Sequence, residues 1–189
     1  MTWPDLFVIK HFIEPVVCET IVAEMKVAEA GAATVYGRGT SSSIDANVRR
    51  ALRVIPSTET IELVIERLLA CKPAVEKHFG VSLNECEDPQ FLRYREGDFF
   101  VAHQDGNTGL TRLETERRLI STVVFLSRES ELPGPGVYCG GSLVFSHLRE
   151  PSFHMVAEPG TLVTFRSETT HEVTPVTHGE RFSIASWYR

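Results

Sequence analysis

The chain changes texture near its middle. Over the first 88 residues apolar positions recur at helical spacing, and from residue 89 they fall into short β-type runs. Val17, Ile21, Met25 and Ala28 share one face of a helix that Pro15 is suited to open and Gly31 to close. Ile61, Val64, Ile65, Leu68 and Leu69 mark a second helix, with Ser57 or Thr58 as its cap. Pro73 is expected to break or kink it, and Gly80 to end the helical stretch beyond that point. Residues 6–9 read as a short strand. Residues 37–50, GRGTSSSIDANVRR, read as a surface loop or a flap over a site.

The second half contains FLRY, FFVAH, LISTVVFL, SLVF, TLVTF, HEVTPV and RFSIASWY, separated by Gly, Pro and polar turns. Many short strands with turn signals argue for a sandwich, jelly roll or barrel. Gly140-Gly141 fits a strand start where another backbone passes closely. Without internal repeats or a low-complexity linker, the expectation is one domain over 1–189. About 1–88 would be helical support and flap, and about 89–189 an antiparallel β core.

Composition narrows the classes. A chain of 189 residues with 42% hydrophobic content can bury a full core, so it needs neither disulfide nor metal to fold. A metal site here would therefore serve chemistry. The net charge of −6 argues against a nucleic-acid partner. The four cysteines show no CxxC pair, no apolar run is long enough for a membrane span, and the N-terminus lacks signal-peptide character. The expectation is a soluble, cytoplasmic protein with reduced thiols and no membrane partner. No feature of the sequence sets an oligomeric state.

No GxGxxG, Walker loop, GxSxG or HExxH occurs. What occurs is His103-Gln104-Asp105 at the end of FFVAHQD, where i and i+2 of a strand point to one face. His178-Gly179-Glu180 repeats the spacing on a glycine turn that suits ligands poorly. His171 and Arg181 follow in HEVTPVTHGERFSIASWYR. A three-residue turn at 178–180 would set His171 opposite Trp187 and turn His171, Arg181, Ser183 and Trp187 to one face; a two-residue turn would reverse the second strand. If His171 reaches the first pair, two imidazoles and a carboxylate with open positions suit a non-haem Fe(II). A 2-oxo acid could occupy two of those positions, with Arg181 holding its far carboxylate.

YREGDFFVAHQD, RLISTVVFLS, YCGGSLVF and EPGTLVTFRSETTHEVTPVTHGERFSIASWYR together resemble the Fe(II)/2-oxoglutarate-dependent dioxygenases, in particular the prolyl-4-hydroxylase-like and PKHD-type branch. The resemblance covers about Phe91 to Trp187. It implies a mainly β fold with supporting helices around a double-stranded β-helix, the cupin-like jelly roll. It implies Fe(II) on His103, Asp105 and His171, with 2-oxoglutarate and O2 as cosubstrates, and it admits ascorbate. Arg181 falls on the residue that binds the cosubstrate C5 carboxylate, and Tyr94 on a tyrosine that hydrogen-bonds it. Ser183 completes an Arg-x-Ser pattern. No catalytic residue is implied beyond the metal ligands.

The sequence departs from the resemblance at two points. Collagen-type prolyl hydroxylases carry Lys at the Arg181 position. Phe125 stands where the oxygen-sensing enzymes place a cosubstrate-contacting tyrosine. Asp105 points to hydroxylation, since related halogenases replace this carboxylate with a small residue. The implied substrate is a prolyl residue of a protein or peptide. The alternatives are a free amino acid or other small molecule, and a non-catalytic metal- or partner-binding jelly roll. Arg49, Arg50 and Trp187 are candidates for substrate contact, against a solvated face for the arginines and packing for Trp187. Residues 37–50 and 106–117 are expected to frame the substrate entrance.

Overall fold

A computed structural model of the chain describes residues 4–36, 42–106, 115, 117–147 and 150–189. Two helices cover the outer face of a large sheet, whose inner face packs on a smaller one.

Helix α1 (Pro15–Val27) opens with proline at its first position, where the missing N–H costs nothing. Helix α2 (Thr58–Phe79) is capped by Ser57, whose Oγ accepts from the Thr60 N–H, and it ends at Gly80. Glu24 of α1 ties the two helices together, accepting from the Ser57 N–H and, at 2.6 Å, from Thr60 Oγ1. Cys18, Ile21, Met25, Val64, Leu68, Val75 and Phe79 press on Phe91, Ile120, Val124, Phe182, Ile184 and Tyr188 of the large sheet. This is the main core.

Several expectations for the first half need correction. Gly31 does not end α1, which stops at Ala28; Gly31 lies within the strand Ala30–Ala32. Pro73 does not break α2. Pro73 and Leu69 lie on its exposed face, so the side that loses a hydrogen bond is the solvent side. Nor are residues 1–88 only helical support. Beside the expected strand Leu6–Ile9, the strands Ala30–Ala32 and Leu52–Val54 join the large sheet, and Arg49–Arg50 joins the smaller one.

The large sheet runs Leu6–Ile9, Leu162–Arg166, Ile120–Phe125, Arg181–Tyr188, Gln90–Tyr94, Leu52–Val54, Ala30–Ala32. The smaller runs Glu150–Met155, Leu143–His147, His171–Val173, Phe99–His103, Arg49–Arg50. Every pairing in both is antiparallel. From residue 90 the chain passes repeatedly from one sheet to the other, which winds a double-stranded β-helix.

The expected hairpin between His171 and Arg181 does not form. His171–Val173 belongs to the smaller sheet and Arg181–Tyr188 to the large one. The intervening Val176–His178 pairs instead with Val137–Gly140. That pairing needs the double glycine: a Cβ on Gly140 would lie 2.3 Å from Pro175 O. No helix among the described residues is long and apolar enough to cross a membrane.

Candidate metal centre

Phe99–His103 and His171–Val173 are neighbouring strands, and His171 pairs directly with His103. Asp105 follows where the chain leaves the sheet, its N–H donating to Ser167 O at 2.9 Å. Asp105 Oδ1 is 3.4 Å from His103 Nε2, and Oδ2 is 3.5 Å from His171 Nε2. Among the described residues this is the one group of three His, Cys, Asp or Glu side chains close enough to share an ion.

The backbone sets each imidazole. His103 Nδ1 lies 2.8 Å from Val101 O and His171 Nδ1 lies 2.9 Å from Thr169 O. A carbonyl can only accept, so Nδ1 carries a proton in each ring and Nε2 is the nitrogen turned toward Asp105 and available to a ligand. Phe100 stacks on His103 with centroids 3.6 Å apart, and Phe165 meets His171 edge-on at 4.7 Å. Burial, reinforced by His103, pushes His171 down to about 4. Burial also opposes charge on Asp105, yet the imidazoles and the Trp187 indole beside it hold its carboxyl well below the usual range. Ser121 Oγ donates to Asp105 Oδ2 at 2.7 Å. Two imidazole Nε2 atoms thus converge on a buried carboxylate, a donor set that a cation completes.

The facing wall comes from the large sheet. Alternation along Arg181–Tyr188 sends Arg181, Ser183, Ala185 and Trp187 into the cavity, while Phe182, Ile184 and Tyr188 join the helix-side core. Arg181 is 2% exposed and pairs in register with Tyr94. Its Cζ lies 5.0 Å from the Tyr94 ring centroid and 5.8 Å from that of Phe125. Nη1 donates to Ser183 Oγ at 2.7 Å, and the buried Nε has no partner among the described residues. No carboxylate among the described residues ion-pairs with it. A buried guanidinium left this way is costly, and a carboxylate ligand fits it.

The expected site residues therefore meet around one cavity, although His171 and Arg181 reach it from opposite sheets. Arg49 lines it too, being 8% exposed, so the solvated-face reading fails for that residue. It holds for Arg50, which is exposed and stands over the Phe99 ring, outside the cavity. Trp187 packs against Arg118, whose Cζ lies 3.7 Å from its ring. Residues 37–41, 107–114 and 116 of the two expected entrance segments lie outside the described residues. Sequence reasoning missed Ser121, a polar interruption in an apolar strand. It also missed Tyr138, whose buried hydroxyl lacks a hydrogen-bond partner among the described residues and is pushed up to about 12 by burial, against the pull of Arg181.

A double-stranded β-helix carrying two histidines and an aspartate at its open centre defines a class of metal-dependent oxygenases. The profile of the 2OG-Fe(II) oxygenase superfamily matches residues 89–189, and the chain belongs to this family. A PKHD-type hydroxylase of Paracoccus denitrificans is 32% identical over 180 residues, covering 88% of this chain and 71% of the relative. A PKHD-type hydroxylase of Acinetobacter baylyi is 28% identical, covering 94% and 76%. Among solved structures, a Pseudomonas putida prolyl-4-hydroxylase shares the fold with a TM-score of 0.69 at 22% identity, covering 98% of this chain and 92% of that one. A Trichoplax adhaerens prolyl hydroxylase in complex with a hypoxia inducible factor peptide fragment has a TM-score of 0.67 at 14% identity, covering 98% and 84%. The protein is a dioxygenase, and its family implies Fe(II), 2-oxoglutarate and O2.

Proposed function

We propose that His103, Asp105 and His171 hold Fe(II), that Arg181 pairs with the distal carboxylate of 2-oxoglutarate, and that the enzyme hydroxylates an unactivated C–H. One observation carries this reading: two imidazoles and a carboxylate converge across a cavity from a buried guanidinium that has no counter-ion among the described residues. When bound, the iron supplies oxidation of a C–H by O2, with 2-oxoglutarate leaving as succinate and CO2.

The chain's own residues supply position and exclude water. Val101 and Thr169 carbonyls hold the rings in the ligating tautomer. Ser121 holds the Asp105 carboxylate. Ser183 fixes the Arg181 fork, and Tyr94 lies beside it to contact the cosubstrate. Phe100, Leu143 and Val173 give the cavity an apolar wall.

The substrate is a prolyl residue of a protein or peptide, as the names of the structural neighbours suggest, or a free amino acid or other small molecule. Four free cysteines support a cytoplasmic place for the protein, which works as one domain. Ascorbate belongs to this proposal as an accessory reductant, to be checked by succinate release with and without it. The central test is optical. Fe(II) with 2-oxoglutarate, without air, should give a metal-to-ligand charge-transfer band in the visible that His171→Ala abolishes. A wild type without the band, or a band indifferent to His171, would overturn the assignment.

A further inference from the structure

The cavity holds a second buried guanidinium that the iron and 2-oxoglutarate do not use. Arg49 lies on the edge strand of the smaller sheet, paired with Phe100. Its Nη1 donates to Thr34 O at 3.1 Å, and its buried Nε has no partner among the described residues. No carboxylate among the described residues ion-pairs with it. Its Cζ stands 4.7 Å from the Phe100 ring centroid, and that ring in turn stacks on His103 at 3.6 Å. The guanidinium therefore sits one ring away from a metal ligand, on the wall opposite Arg181.

Charge balance indicates what it awaits. Arg49, Arg181 and a divalent iron, set against Asp105, would leave three positive charges around one cavity. The 2-oxoglutarate dianion removes two. The third stays on the Arg49 side, where a buried cation without a partner is unfavourable. A planar guanidinium pairs bidentately with carboxylate and phosphate, and a single remaining positive charge is balanced by one carboxylate, whereas a phosphate monoester brings nearly two negative charges.

We propose that Arg49 binds the carboxylate of the substrate, so that the substrate is a carboxylic acid hydroxylated close to that group. This rests on the iron and 2-oxoglutarate reading above. Two sources share the chemistry, a free amino acid or similar small acid and the C-terminus of a peptide. An internal residue of a polypeptide lacks it.

The test pairs acids with amides. Succinate release, and calorimetric binding without air, are measured with Fe(II), 2-oxoglutarate, the free amino acids and their carboxamides, and dipeptides with free or amidated C-termini. At least one acid should exceed its amide by about 100-fold in kcat/KM, the scale of one buried charge pair. Arg49→Gln should erase that preference and Arg49→Lys keep part of it, while 2-oxoglutarate affinity changes less than about threefold. A free amino acid outperforming the dipeptides assigns a small acid; the reverse assigns a peptide C-terminus.

Three results would overturn the proposal. One is a panel in which no acid exceeds its amide. Another is equal loss of acid and amide in Arg49→Gln, which would make Arg49 a support for Phe100 and His103. The last is a large loss of 2-oxoglutarate affinity in that variant. Absence of the visible band in wild type would remove the iron reading instead, so the two failures are separable.

Discussion

His103 and His171 face each other across two antiparallel strands, with ring centroids 4.2 Å apart. Neither strand alone offers a chelate. The pairing register creates one, and the carbonyls of Val101 and Thr169 aim it.

Because the register is held by backbone pairing, the metal-free chain should be folded. Chelation is expected to leave the far-UV circular dichroism unchanged. Fe(II) or Mn(II) with 2-oxoglutarate should then raise Tm, since a ligand at about 1,000 times its Kd adds about 4 kcal/mol. His103→Ala and His171→Ala should each lose that rise while keeping a cooperative apo transition. Differential scanning calorimetry with and without metal checks both.

Arg181 should trade stability against binding. Arg181→Met removes a buried charge that lacks a counter-ion among the described residues, together with its place over the Tyr94 and Phe125 rings, and keeps an apolar stem. The apo variant is expected to be about 1 kcal/mol or more stable than wild type in chemical denaturation. Its 2-oxoglutarate affinity should fall by about 2–5 kcal/mol, with iron affinity much less changed. Equal loss of both would mean that Arg181 does not bind the cosubstrate.

Gly141 should be sensitive for a reason that Gly134 does not share. With φ at +60°, an added Cβ at Gly141 would lie 2.9 Å from Val176 Cγ2, 3.2 Å from Arg181 Cδ and 3.3 Å from Tyr138 Cε2. Gly141→Ala is expected to cost about 1–3 kcal/mol and to weaken 2-oxoglutarate by displacing the guanidinium. A Cβ at Gly134 meets only Val137 Cγ2 at 3.6 Å, and Gly134→Ala should be nearly neutral. Urea unfolding and cosubstrate titration of the pair decide this.

The buried thiols should make the protein lose stability in alkali. Burial pushes Cys18 and Cys86 up to about 11. Each keeps its proton in the native state while the unfolded chain loses it above about pH 8.5. The contribution is complete below that pH and declines as pH rises toward 11, by up to about 1.4 kcal/mol per pH unit for each thiol. Guanidinium midpoints from pH 8 to 10.5 should show the decline, flattened in the Cys18→Ala, Cys86→Ala double variant. Iodoacetamide labelling of the native protein should be slow at pH 8.

Where local pattern decides structure, the sequence was readable. FFVAH and RFSIASWY coincide with Phe99–His103 and Arg181–Tyr188, because short β-type runs between turn signals bound them. That His103, Asp105 and His171 would come together was expected from the strand reading and a family resemblance, and the three side chains do converge. Partner choice was not legible. Nothing within HEVTPVTHGERFS says that Val176–His178 would pair with Val137–Gly140 and place its two neighbouring strands in different sheets. Arg49 shows the same gap. Two adjacent arginines read as a wet surface until pairing with Phe99 and Phe100 turns one inward and leaves the other outside.

The central strand Arg181–Tyr188 carries the cavity on its odd residues and the helix-side core on its even ones. Adding or removing one residue within it would swap the two sets, driving a guanidinium into hydrocarbon and aromatic rings into the site. Evolution can therefore exchange side chains along this strand but cannot change its length. Insertions and deletions that retune the enzyme should be confined to the connections between strands, where one extra residue alters reach without inverting a face.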